Sequence, residues 1–189
     1  MGTATTGVST WTVDAAHAEV GFSVRHLMIS TVRGRFGAVT GTVQYDEAEP
    51  ANSRIDVTID VTSVDTRQEQ RDNHLRSADF FDVAQFPTMH FVSKRIEGDV
   101  TDEFRVIGDL TIRGTTREVT LDVTAEGRGM DPWGSERAGF SAKGKINRAD
   151  FGLTWNQALE TGGVMVSDEV KLTIDVELVK QAETSAASA

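Results

Sequence analysis

The chain has no cysteine among its 189 residues. Disulfides, thiolate nucleophiles, iron–sulfur clusters and cysteine-based zinc sites are excluded, and the redox character of its compartment leaves no mark on the sequence. Proline is scarce, with three residues, and tyrosine occurs once. Positive charge is outnumbered: 19 Lys and Arg against 29 Asp and Glu leave a formal net charge of -10. No run of Lys or Arg exceeds two residues. That balance argues against nucleic acid and against adsorption of the molecule on an anionic membrane. No stretch approaches the ~20 apolar residues of a membrane-spanning helix. Residues 1–10 have neither the basic start nor the apolar centre of a secretory signal, so the spacing predicts a flexible N-terminus and a cytoplasmic location.

What the chain has is alternation. Val170, Leu172, Ile174, Val176 and Leu178 fall on one face of an extended segment, with Lys171, Thr173, Asp175 and Glu177 on the other. The same period of two recurs in Val20, Phe22 and Val24, in Ile55 to Val61, in Val106, Leu110 and Ile112, and in Val119, Leu121 and Val123. This is the signature of half-buried antiparallel strands. A sheet with one apolar face has to cover it, and the sequence offers one helical stretch, in the charged connection 66–86. The economical solution is an all-β antiparallel barrel with one short helical connection lying over its end or flank. Apolar parity changes between Phe36 and Val39, which predicts a bulge or bend near Gly37. The barrel is expected over residues 11–180, and the small polar residues 181–189 read as a disordered tail.

Catalytic and metal-binding patterns are thin. His17, His26, His74 and His90 form no HxH, HxxxH or HExxH pair, so no metal site is expected. His17 reads as the partner of Asp14 in a turn, and His74 as a solvated or helix-docking residue. Ser23 and Ser141 lie in strands without a GxSxG elbow. Trp11 and Trp155 read as core or rim plugs.

A series of motifs runs through the chain in fixed order. It comprises Trp11-x-x-Asp14-x-x-His17, Phe22-x-Val24-x-His26, Val32-x-Gly34-x-Phe36, Arg71-Asp72-x-His74-Leu75, Phe80-Phe81-Asp82 and Phe86-Pro87. Gly108-x-Leu110-Thr111-Ile112-x-Gly114, Ile146-x-Arg148 and Phe151-Gly152 follow. Together they resemble the YceI-like family over residues 11–180. The resemblance implies an extended lipocalin-like barrel that binds a polyisoprenoid or similar long-chain amphiphile, such as a quinone or polyprenyl phosphate, to sequester or transport it. It also implies a homodimer, no cofactor and no established catalytic activity. Many relatives are exported, whereas residues 1–10 show no export signal.

With that resemblance, the expected interior ligand contacts are Val20, Phe22, Val24 and His26 in the first strand, Phe36, Val57, Ile59, Phe91, Phe104, Leu110 and Leu121. Ala125, Phe140, Ala142, Leu172 and Ile174 complete the set. Inward phenylalanines mixed with Ala125, Ala138, Ala142, Gly108 and Gly144 are compatible with an open tunnel or with small residues that merely make room for large ones. Guanidinium suits phosphate, so Arg25, Arg35 and Arg148 are candidates for a lipid head group; Arg25 and Arg35 point outward by alternation, and pairing with surface carboxylates is the favoured reading for them. An enzyme acting on such a lipid and a ligand-free structural or stress-response barrel are the alternative functions.

Overall fold

A computed structural model describes residues 7–183. Residues 1–6 of the expected flexible arm and 184–189 of the expected tail lie outside the described residues. Among the described residues the ten strands are β1 (Val8–His26), β2 (Ser30–Phe36), β3 (Val39–Asp46), β4 (Arg54–Asp60), β5 (Val64–Asp65), β6 (Thr88–Gly98), β7 (Glu103–Ile112), β8 (Thr115–Met130), β9 (Glu136–Asn147) and β10 (Val166–Lys180), with one α-helix, α1 (Glu69–Arg76), and three short 3-10 turns. All pairings are antiparallel, and β10 returns to pair with β1, so the sheet closes.

β2 and β3 both line up against β1, as two halves of one bent strand, and β5 and β4 pair with those same halves. The result is an eight-stranded, lipocalin-like barrel. The bend falls at Gly37 and Ala38, where the sequence parity changes. β1 starts three residues ahead of the expected boundary at Trp11: Val8, Ser9 and Thr10 pair with Asp46, Tyr45 and Gln44. It also carries an excursion, because Val13 opposes Leu178 and the next paired residue, Ala18, opposes Val176. Asp14 to His17 are thereby lifted out of the ladder.

Helix α1 lies over one barrel end, and polar bonds hold it there. The buried Asp72 carboxylate accepts from Thr66 N and Oγ1 at 2.9 and 2.5 Å. Arg71 donates to the Thr66 hydroxyl and carbonyl at 2.7 and 2.8 Å, and Arg76 donates to the carbonyls of Thr62 and Val64. Leu75 of the helix, with Phe80 and Phe81 just after it, then packs into the core formed by Phe36, Met89, Ile112, Phe151 and Leu153. A second, smaller cluster of Trp11, Ala138 and Leu178 lies at the opposite end.

The glycines settle what the small inward residues do. A Cβ on Gly34 would stand 2.3 Å from the Phe22 ring, and one on Gly108 would stand 2.5 Å from the Phe91 ring. At these positions glycine makes room for an aromatic neighbour. Gly144 serves Leu121 in the same way, at 2.8 Å.

Candidate functional site

Between the two clusters the barrel encloses a cavity of about 550 Å³. Alternation along the strands turns apolar side chains onto its wall. The structure brings together Val20, Phe22, Val24, Phe36, Val57, Ile59, Phe91, Phe104, Leu110, Leu121, Ala125, Phe140, Ala142, Leu172 and Ile174 around this space. Of the small residues weighed as tunnel-forming, Ala125, Ala138 and Ala142 border it, whereas Gly108 and Gly144 do not.

His26 stands apart. It keeps the parity of Phe22 and Val24 in the β1–β2 ladder, where it opposes Ser30, but it is the last residue of β1 and stands at the rim, outside the cavity wall. Its carbonyl instead closes the β1–β2 turn by accepting from Ile29 N at 3.1 Å.

The three candidate head-group arginines separate. Arg25 is exposed and donates to the Met28 carbonyl at 2.8 Å and the Thr31 hydroxyl at 3.2 Å. Arg35 is on the outer face with Glu19 at 3.1 Å and Asp65 at 3.5 Å. Neither reaches the cavity. Arg148 does border it and is 5% exposed. Its guanidinium donates to the carbonyls of Leu153 (2.7 Å), Trp155 (2.8 Å), Ser167 (2.9 Å) and Val166 (3.4 Å), with the Asp168 carboxylate at 3.4 Å. Burial pushes this guanidinium below its ordinary value, and Asp168 partly offsets the effect. Its donors are committed to the backbone of the segment 153–167, which it latches across the barrel end.

Other wall residues carried weaker sequence signals. Leu75, Phe80, Phe81 and Leu153 reach the cavity from segments with no strand period. Trp11, Val43, Tyr45 and Ile96 keep the period of their strands and extend the wall toward the far rim. Polar and charged groups, Ser53, Thr101, Glu126 and Arg128, join that rim.

Beside the rim, the excursion in β1 places Asp14 in an ion-pair node. Arg137 donates to Asp14 and Asp131, each at 2.7 Å, and to Glu177. His17 Nδ1 lies 3.0 Å from Asp14. The His17 bond, followed by that of Arg137, lowers the Asp14 carboxyl to about 2, while Asp14 raises the His17 imidazole above its usual value. The ligand atoms of Asp14, His17 and Glu177 lie within 4.8 Å of one another, spacing compatible with a cation. Arg137 already bridges the two carboxylates, and the cluster reads as a closed salt bridge.

A closed β-barrel around an apolar internal cavity defines the lipocalin-like class. Within that class, the sequence matches the YceI-like domain over residues 11–178, and the chain belongs to that family. It is 44% identical over 168 residues to Protein YceI of Escherichia coli O157:H7, covering 89% of this chain and 84% of that protein. The YCEI protein of Campylobacter jejuni is 34% identical with a TM-score of 0.71, over 84% of this chain and 90% of that one. A polyisoprenoid binding domain from Saccharophagus degradans implicated in plant cell wall breakdown shares the fold. Its TM-score is 0.64 at 16% identity, over 93% of this chain and 100% of that one.

Proposed function

We propose that the barrel holds one long apolar chain, a polyisoprenoid such as a quinone or polyprenyl phosphate or a lipid of similar form, and sequesters or carries it. The observation behind this is the cavity itself: about 550 Å³ of space bounded along the strands by carbon. An isoprenoid tail asks for no hydrogen bonds, and each buried CH₂ contributes about 0.8 kcal/mol, so such a wall binds by area and shape without a charged contact. The engagement of Arg148 with backbone carbonyls supports holding rather than turnover, because its donors are already used. A homodimer belongs to the same reading, on family resemblance. Sedimentation that shows only monomer at micromolar concentrations would remove that part.

Mass spectrometry of an organic extract of protein purified without detergent tests the cargo, and an Ala142→Trp variant tests its place. Ala142 borders the cavity between Val123 and Ile174. The indole then occupies cargo space. Bound lipid should fall severalfold while the melting temperature stays near that of the parent. Unchanged lipid with a loss of about 1–3 kcal/mol in stability, the usual result of overpacking, would show a filled core instead of a site.

A further inference from the structure

The large apolar side chains left exposed all stand at the two barrel rims, among the described residues: Val8, Met130 and Trp133 at one, Met28, Ile29 and Val164 at the other. The second group carries an additional signal. Leu27 and Met28 form the centre of the β1–β2 turn with φ of 52° and 60°, and Ile29 N closes it onto His26 O. A β-turn with both central residues at positive φ favours Asn-Gly. Here it carries two large apolar residues, followed by Ile29 at 79% exposure. Folding alone would favour other residues at this tip, and solubility would favour polar ones.

Charge distinguishes the rims. Around Val8 and Trp133 the loops present Glu47, Glu49, Asp99, Asp102 and Glu103, while the cations there, Arg128, Arg137 and Lys180, are each bonded to a carboxylate. Near the tip, Arg33 and Lys171 both oppose Ser23, and Lys145 opposes Lys171, which places three exposed cations in one row across β2, β1, β10 and β9. Arg25 adds a fourth, and its bonds go to a carbonyl and a hydroxyl. The acids flanking the tip on β9, β10 and the segment between them are Asp150, Glu160, Asp168 and Glu169, of which Asp168 meets Arg148 and Glu169 meets Lys145; α1 and its flanks, over the same barrel end, add Asp65, Glu69 and Asp79, of which Asp65 meets Arg35 and Asp79 meets His74. On a molecule of net charge -10, attraction to an anionic surface has to come from such a row of exposed cations.

We infer that the β1–β2 tip is a membrane wedge: Met28 and Ile29, joined by Val164, enter the interface of a bilayer containing anionic lipid, while Arg33, Lys145 and Lys171 face its head groups. Apolar insertion combined with cationic attraction is the usual physics of reversible surface binding. The position also fits cargo exchange. Val24 and Val166 border the cavity, and Leu27 N is bonded to Met165 O at 2.8 Å, so the wall begins within a few residues of the wedge. Docking stands on the surface geometry; its use for exchange rests on the lipid-binding reading.

The test is co-sedimentation of the full chain with vesicles of phosphatidylcholine, with and without a minority of phosphatidylglycerol. The parent should bind the mixed vesicles, and added salt should weaken binding. A double variant, Met28→Gly with Ile29→Ser, should bind at least about tenfold less, since two large apolar side chains leave the interface. Its melting temperature should equal or exceed that of the parent, because glycine relieves the positive φ. Trp133→Ser, at the acidic rim, should bind as the parent does. The inference is overturned if the parent ignores anionic vesicles, if the double variant binds undiminished, or if Trp133→Ser abolishes binding. A parent dimer that the double variant dissolves, without vesicle binding by either, would assign the tip to self-association and overturn it too. Bound lipid measured in the same samples keeps the readings apart: an empty barrel that still sediments with vesicles would sink the cargo and leave the docking.

Discussion

The two ends of the barrel are closed by different physics. At the helical end, the main core is overlaid by α1 and by the segment 153–167, and both are tied down by buried polar groups, Asp72 and Arg148, bonded to backbone. At the other end a small apolar cluster around Trp11 carries the closure, with charges arranged over and beside it. The Arg128 guanidinium sits 4.8 Å and Lys180 Nζ 5.8 Å from the Trp11 ring centre. Buried hydrogen bonds are directional and leave costly orphans when broken, whereas an aromatic plug under flexible cations yields gradually. The difference teaches that one barrel can have a fixed end and a compliant end.

Removing the latch should produce the largest effect. Arg148→Met keeps bulk but leaves the carbonyls of Leu153, Trp155 and Ser167 without their donor. Unpaired buried groups cost about 1–3 kcal/mol each, and partial relaxation brings the expected loss to about 3–5 kcal/mol. Urea unfolding measures the total, and hydrogen exchange should show faster opening of residues 153–167 than of β7. A loss below about 1 kcal/mol would show that the latch is not what fixes this end.

Trp11→Ala comes next. The indole is 3% exposed and its Nε1 donates to Ser9 Oγ at 3.0 Å, so truncation should cost about 3 kcal/mol, the low end for a buried aromatic, because the small cluster can collapse. The comparison sharpens in the pattern of exchange. Protection should fall along the β1–β10 pairing near Lys180 and stay unchanged in α1. Loss of protection at both ends would mean that they unfold as one unit, and the distinction drawn between them would fail.

The strands were legible because period two is local: Val20 to Val24 and Leu172 to Ile174 can be assigned a face from their immediate neighbours. Parity gives the face but not the depth: His26 shares its row with Phe22 and Val24 and opposes Ser30 in an unbroken β1–β2 ladder, yet it ends its strand at the rim, beyond the cavity wall. The family motifs spanned the barrel, but they did not say what Arg148 touches. Its partners at Leu153, Trp155, Val166 and Ser167 are carbonyls, which every residue possesses and no composition reveals. Glycine was ambiguous for a related reason. Gly34 and Gly108 lie on inward faces, and only the rings of Phe22 and Phe91 standing against them show that they fill space instead of leaving it.

The smallest expected effect belongs to the node beside the compliant end. Asp14 has its carboxyl lowered from 3.8 to about 2, first by His17 and then by Arg137. A depressed folded value stabilises the fold above the unfolded value and loses that contribution as pH falls from about 4 toward 2; with solvent screening it amounts to about 1 kcal/mol. His17 is raised above 6.5, chiefly by Asp14. Its contribution is complete below 6.5 and disappears as pH rises through the folded value. The node is therefore at full strength between those limits, and replacing one residue, Asp14→Asn, should flatten both limbs at once. Melting scans across pH should show the variant lower by about 2–4 °C inside the window, converging with the parent on the acid side and only narrowing the gap on the alkaline side, where Asp14 still accepts from Arg137. Arg148→Met should keep both limbs under a lowered ceiling, because the titrating pair stands at the other end. If the acid limb survives Asp14→Asn, then Asp131 and Glu136, whose carboxyls are also lowered by arginine partners, carry it instead, and the pH response belongs to the rim as a whole.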